Sequence, residues 1–485
     1  MKMPIERDGP DVLGPISPSI SRHDELILGR EVRWYYGQFT MINKPEYCDV
    51  VEQIVRENPP LAELDNSIKF IITIPVHIVA DYDKIYGMLS LYARQKNFDI
   101  NSAIILIDLN WRKREKQNQR EINRCLEEAH KQLRSARKDF PTLKIVAFEQ
   151  PHHDGIFHVA KEMNDIAMIA IHHAVKAKRL SDDADIIVIR NDADMLHIHQ
   201  NYLASYQKTA EENSQTPIFL GITWFDLENS CRTPGFAALM CFDRLLCVAH
   251  NMKGNIYTAG GNFAYRARHF AAVSGMGFNC YRNWLNVGSD DFQIGYRLRM
   301  AFYNQSLIQG FRICAYAPEG IIDTDGSRLF NCYAADNDFT TIDAYGTKAE
   351  HSFSNSAVRP VKLSNFAEKI DDKKSFNRLM RQFELEISDY FFFYGIEDDI
   401  VHESLDRLFE TDASQFYTVK PPADPSIPKA KPSFKLNSEG RAYFKELLRR
   451  NFGDGEHEAA SNKLVQAVKD GTLLRPDSFN SQAAE

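Results

Sequence analysis

Four short segments of the sequence carry residue types that could do chemistry. The densest is Arg190-Asn191-Asp192-Ala193-Asp194. Two carboxylates one residue apart on a turn can both reach one hard cation, and Mg2+ and Mn2+ favour carboxylate, water and phosphate oxygens. A cation held by Asp192 and Asp194 would bridge them to a nucleotide diphosphate. Taken alone, the same residues also fit an Asp-rich capping turn before a helix at Asn201. The second segment, Thr258 to Arg266 (TAGGNFAYR), holds Gly260 and Gly261, which let backbone approach a ligand closely; by itself it reads as a tight turn. The third is Gly288-Ser289-Asp290-Asp291-Phe292, followed by Ile294, Leu298, Ala301 and Phe302 on one helical face. Ser289 or Asp290 can cap that helix, or a carboxylate at its start can serve as a general base. The fourth, Ile322 to Leu329 (IDTDGSRL), offers Arg328 as a planar partner for a diphosphate, although its turn-prone composition equally suits a surface loop.

These segments need elements to position them. Lys69 to Val76 (KFIITIPV) is an apolar run of strand length, and Ile85, Met88, Leu89 and Tyr92 follow with helical spacing. Ser102 to Asp108, Leu143 to Phe148 and Ala184 to Arg190 are three further buried strands. Ile122, Leu126, Ala129 and Leu133 mark one intervening helix, and Val159, Met163, Ile166 and Ala170 mark the next. Near-continuous apolar strands alternating with helices predict α/β architecture: a doubly wound, mostly parallel sheet with a Rossmann-like nucleotide-binding half. Such sheets bind ligands at the carboxyl ends of their strands, which is where Asp192 and Asp194 fall.

The organisation expected from composition is an N-terminal extension over 1–65 with a short helix at Tyr47 to Val55, then a catalytic domain over 66–355. A helical region over 356–418, packed on that domain, would bury Phe366, Leu379, Phe383 and Leu385. A proline-rich linker over 419–432 and a separable helical appendage over 433–485 complete the chain, with a frayed tail after Pro476. The aromatic cluster Tyr390 to Tyr394 is expected in a core or a subunit contact.

Net charge is −8, from 58 Lys and Arg against 66 Asp and Glu, which disfavours a nucleic-acid coat. Apolar residues make up 44% and charged residues 26%, which excludes wholesale disorder. Apolar stretches such as Phe70 to Val76 fall far short of the ~20 residues of a bilayer helix, and Met1 to Ser21 lacks an apolar signal core. None of the eight cysteines forms a C-x-x-C pair, which fits free thiols and a cytoplasmic location.

Taken together, the segments resemble the GT-A-fold glycosyltransferases, in particular the family-2-like group. The resemblance covers about residues 66–355 and rests on IITIPVH (71–77), the strand ending at Asp108, Asp192-Ala193-Asp194, Gly260-Gly261-Asn262, and SDDFQIGYRLR (289–299). It implies that Pro75, His77 and Asp108 hold the nucleotide base. It also implies that Asp194 binds the metal, that Asp192 contacts ribose or metal, and that the second acid of the Asp290-Asp291 pair is the base. Two departures are visible: Asp108-Leu109-Asn110-Trp111 stands where the family has Asp-Asp-Gly-Ser, and Asp290-Asp291 where it has Glu-Asp.

The activity expected is therefore metal-dependent transfer of a sugar, a hexose by expectation, from a nucleotide-sugar donor to an acceptor hydroxyl. Mn2+ or Mg2+ would be the cofactor. The acceptor stays open among small molecule, glycan and protein, as does assembly into a homo-oligomer. Two other readings remain: a catalytically inactive binding or scaffold module, and a sugar-nucleotidyltransferase, which would want a Gly-rich phosphate loop that Pro75 to Asp83 lacks. His197 and His199 follow the Asp pair closely enough to touch a ligand. His172 and His173, neighbours on a helix, point apart.

Overall fold

The computed structural model describes residues 15–112, 119–152, 156–226, 234–252, 261–276, 290–325, 371–422, 431–452, 466–467 and 469–479. The chain forms two compact units. The first comprises Asp8–Thr223, Gly254–Ile322 and Leu474–Glu485, and the second Met1–Arg7, Trp224–Lys253 and Asp323–Leu473.

The first unit is built on a sheet whose strands are β1 (Phe70–His77), β2 (Ala103–Arg112), β3 (Lys144–His152), β4 (Ile187–Asn191), β5 (Met195–His199), β6 (Ile218–Phe225), β7 (Asn262–Arg266) and β8 (Cys314–Thr324). Two strands, β9 (Tyr417–Lys420) and β10 (Ser433–Leu436), pair apart from it, and β11 (Leu473–Leu474) completes its nine-stranded order β11-β5-β8-β6-β7-β4-β1-β2-β3. Strand β1 runs parallel to β2 and β4, and β2 parallel to β3. Strand β7 joins β4, and β6 joins β7, antiparallel. The α/β class with a doubly wound, mostly parallel sheet is thus the one observed, with antiparallel strands added beyond β4.

Burial explains why these strands show no polar alternation. Every residue from Phe70 to Val76 is buried, with Ile71, Ile104, Leu106 and Val188 packing into one core and Ile72, Ile105, Ile107 and Ile189 into another. Helix Ile156–Lys176 covers the first face; helices Ile85–Ala93, Gln119–Asp139 and Tyr202–Glu212 contribute to the second.

Three expectations need correction. Of the expected extension over 1–65, the described residues 15–65 are part of the fold: helices Leu28–Ile42 and Pro45–Glu57 place Val32, Tyr35, Phe39, Val51 and Val55 in the core of helix Ile156–Lys176. There the hydroxyls of Tyr35 and Tyr47 both donate to the buried Asp165 carboxylate. Strand β2 does not end at Asp108; it runs on to Arg112 because Leu109 to Arg112 pair with Glu149 to His152 of β3. The tail does not fray immediately after Pro476. The Asp477 N–H donates to Ser90 Oγ at 2.8 Å, the Asp477 carboxylate meets Arg94 at 3.3 Å, and the Phe479 ring packs on Tyr86.

The second unit is helical: Pro234–Met252, Lys373–Tyr394, Asp399–Phe409 and Ser438–Phe452 enclose one aromatic core. Leu379, Phe383, Tyr390 and Phe391 are buried as expected, whereas Leu385 is exposed and Phe366 lies outside the described residues. The described residues 433–452 form no separable appendage. Strands β9 and β10 pair antiparallel across the proline-rich segment, and Phe434, Leu436, Phe444, Leu447 and Leu448 share the core of Phe383 and Phe391. The buried Glu384 carboxylate accepts from Lys435 and Arg441 at 2.8 Å each and from the Leu436 N–H at 3.2 Å. The strands that flank the proline-rich stretch are thus paired with each other, while 423–430 lie outside the described residues. Among the described residues, no helix is long and apolar enough to cross a membrane, and Cys48, Cys125, Cys241, Cys247 and Cys314 are free thiols.

Candidate functional site

Strand β4 ends at Asn191 and β5 begins at Met195, so Asp192, Ala193 and Asp194 form the whole connection between them. Ala193 and Met195 are buried and pull the turn inward, which leaves both carboxylates partly exposed at the carboxyl ends of β1, β2 and β4. Asp192 lies 4.0 Å from the Arg190 guanidinium.

The antiparallel register sets Asn191 opposite Asn262 and therefore brings Gly261 beside Asp192. A side chain at Gly261 would collide with Asp192, its Cβ falling 2.4 Å from the carboxylate carbon. Gly261 is thus the seat of the first acid, and two motifs far apart in sequence become one surface. Below this contact lies a chain of buried hydrogen bonds that sequence reasoning missed. The Asn191 amide lies between the hydroxyls of Tyr92 and Tyr202, and its nitrogen donates to the Gly261 carbonyl oxygen at 2.9 Å. Asn262 accepts from the hydroxyls of Tyr202 at 2.8 Å and Tyr206 at 2.9 Å, and donates to the carbonyl oxygens of Ile222 at 3.1 Å and Gly320 at 2.9 Å. Both asparagines lie within quoted segments, but nothing in their spacing signals that they face each other.

Pro75 is buried in β1, directly opposite Asp108 of β2, and His77 ends β1 before a short helix over Ile78–Asp81. Asp108 is fully buried, and among the described residues neither of its carboxylate oxygens has a hydrogen-bond partner. Burial holds its carboxyl well above the ordinary range, the Glu162 charge raises it further, and Arg190 pulls it back. Glu162, on helix Ile156–Lys176, is pushed up to about 8 by burial and by Asp165. Asp108 and Glu162 both favour the protonated form.

The remaining expected residues divide cleanly. Asp290 and Asp291 begin helix Asp290–Gln309, but their side chains lie outside the described residues, as do Gly260 and Arg328 entirely. His197 and His199 are buried on β5; the His199 Nδ1 accepts from the Asn201 N–H at 3.2 Å, and burial lowers its pKa, so the ring is neutral near pH 7. His172 stacks on Tyr36 at 4.2 Å, with its pKa pushed down to about 4 by burial, while His173 meets Glu52 at 2.5 Å.

Among the described residues, no group of three or more His, Cys, Asp or Glu could enclose a metal. Asp192 and Asp194 do not make an all-protein cage. They fit the other kind of site, in which a hard cation takes one or two carboxylates and completes its shell with substrate phosphate and water. The partly exposed Asp192 carboxylate, backed by Gly261, has the form such sharing requires.

No family model matches the chain, and no curated protein matches it. Among solved structures, it is similar to a mannosyltransferase, PcManGT from Pyrobaculum calidifontis in complex with GDP-Man and Mn2+. That match has a TM-score of 0.33 and 10% identity, over 80% of this chain and 87% of the other. It is also similar to TarS 1–349 of S. aureus, at a TM-score of 0.31 and 12% identity over 76% of this chain and 97% of that one. The same fragment in complex with UDP gives 0.30 and 13% over the same shares. Likenesses this distant leave the chemistry to be argued from the residues themselves.

Proposed function

We propose that the chain is a nucleotide-sugar glycosyltransferase, with its donor lying along the carboxyl ends of β1, β2 and β4. The observation that carries this is the Asp192-Ala193-Asp194 turn, a partly exposed carboxylate pair at the end of a buried strand, with Asp192 seated on Gly261. In this reading Pro75, His77 and Asp108 line the base of the nucleotide. The carboxyl of Asp108, buried beneath this lining, has no hydrogen-bond partner among the described residues, and the base is the group we assign to it. Asp192 and Asp194 would hold Mn2+ or Mg2+, which would supply positive charge to the leaving diphosphate. Arg328 assists as a second cation.

In an inverting reaction the acceptor oxygen attacks the anomeric carbon, the bond from that carbon to the diphosphate oxygen breaks, and the nucleoside diphosphate departs. Asp291 takes the acceptor proton, while Asp290, the first residue of the helix, adds favourable charge at its start. The acceptor hydroxyl is that of a small molecule, a glycan or a protein.

The test is a hydrolysis screen across UDP-, GDP- and dTDP-sugars with Mn2+, beside thermal shifts with the matching diphosphates. A donor site raises the melting temperature by mass action. No donor turned over and no diphosphate stabilising the protein would return the chain to the binding-module reading.

A further inference from the structure

We propose that Asn191 and Asn262, linked through Tyr202, are positioning residues that set the affinity of the Asp192-Asp194 turn for its cation. The inference rests on the reading of that turn given above and adds residues that do not themselves touch the donor. The argument begins with a conflict. Asn191, Asn262, Tyr92, Tyr202 and Tyr206 are each no more than 3% exposed, in a layer where the surrounding strands are apolar. Burying five polar side chains is costly unless every group is paired, and apolar residues would fill the space more cheaply.

The pairing is complete and has a direction. The Tyr92 hydroxyl donates to the Asn191 oxygen, and the Asn191 nitrogen donates to the Tyr202 hydroxyl at 2.7 Å. The Tyr202 hydroxyl donates to Asn262 Oδ1 at 2.8 Å, and Asn262 Nδ2 donates to the Ile222 and Gly320 carbonyl oxygens. Room for that last group comes from Gly221, where a Cβ would lie 2.4 Å from Asn262 Nδ2.

The placement of this relay gives it a task. Asn191 is the last residue before the Asp turn, and Tyr202 begins the helix that follows β5. One hydrogen bond therefore ties the entry of the turn to the element beyond its exit. The Asn191 bond to the Gly261 carbonyl oxygen fixes the distance between the Asp192 backbone and the glycine that its carboxylate rests on. Loosening the relay frees Asp192 to move away from Asp194, so that both no longer reach one ion. Groups that orient a ligand in this way typically govern metal affinity by 10–100-fold.

The experiment titrates Mn2+ into the full chain in the presence of UDP, GDP or dTDP, by calorimetry. Tyr202→Phe removes the shared hydroxyl and keeps the ring. The half-saturating Mn2+ concentration should rise about tenfold, while nucleotide affinity without metal stays within about twofold and the melting curve remains cooperative. Tyr206→Phe, which removes bonds to Asn262 and the neighbouring Tyr202 hydroxyl but none to Asn191, should shift it by about threefold or less. If Tyr202→Phe does not fold, Tyr92→Phe, which removes the donor to Asn191, carries the same expectation. A folded variant with wild-type Mn2+ dependence overturns the inference alone. So does one that loses metal-free nucleotide binding by the same factor, since that marks general damage. Wild-type protein whose nucleotide binding ignores Mn2+ overturns the reading of the turn and the inference with it.

Discussion

Two buried acids, one in each unit, stand in opposite states. Glu384 is 1% exposed and Asp108 0% exposed. Glu384 is saturated, with Lys435, Arg441 and a backbone N–H on its oxygens. Asp108 has no hydrogen-bond partner among the described residues and is pushed toward its neutral form. The first acid staples β10 and a helix to a neighbouring helix, and its whole value is structural. The second is an unpaired acid inside β2, four residues before that strand ends, and in the function proposed above the nucleotide completes it. Burial is the same for the two acids; their hydrogen-bond partners are not.

The comparison can be broken by separating activity from stability. At the site the largest effect is expected from Asp194→Ala, which should lower donor turnover by ~10²-fold or more and leave the melting temperature unchanged. Full activity in EDTA would remove the cation from the mechanism. Asp291→Asn keeps shape and removes basicity, so transfer should fall by ~10²-fold while donor binding, read by calorimetry, holds. Transfer at the wild-type rate would instead favour a retaining mechanism without such a base.

In the scaffold, Glu384→Gln should cost about 1–3 kcal/mol in urea unfolding, toward the lower end because Lys435 and Arg441 are half-exposed and can rehydrate. Nucleotide binding should not change. Asp108→Asn should do the reverse: stability within about 1 kcal/mol of wild type, with weakened nucleotide binding. A large stability loss there would make Asp108 a second Glu384. The smallest effect concerns pH. Glu162 is raised from 4.5 to about 8 in the folded state, so the folded protein binds its proton more tightly than the unfolded chain. Its contribution to stability is complete below pH 4.5 and is lost as pH rises through about 8. Glu162→Gln should flatten the fall in melting temperature between those values; an unchanged slope would assign the fall to another group.

The parallel half of the fold was legible because β1 to β4 are apolar on both faces and the helices between them have clean spacing. The later strands were not. Strand β5 (MLHIH) is short and carries two buried histidines, and β8 contains Pro318, Glu319 and Gly320, which read as a turn. Strand β2 was cut short at Asp108 because Asn110 and Trp111 interrupt its aliphatic run, although backbone pairing with β3 continues regardless. The Asp pair could be found by type and spacing. Its seat on Gly261 could not, since register between β4 and β7 is a property of the folded sheet. Proline content misled at 419–432, where flanking residues form a hairpin ladder that no local composition announces.

The anchored tail has a consequence for how the chain is made. The hydrogen bond from the Asp477 N–H to Ser90 closes a separation of 387 residues, and Pro476 packs where any side chain larger than that of Gly87 would intrude. A ribosome adding roughly 5–20 residues per second leaves that contact unmade for about 20–80 s after Ser90 emerges. Throughout this interval helix Ile85–Ala93, which flanks the sheet and supplies Tyr92 to the asparagine relay, waits without its last covering segment. The unit that carries the Asp192-Asp194 turn thus waits for a segment synthesised 387 residues after the helix it covers.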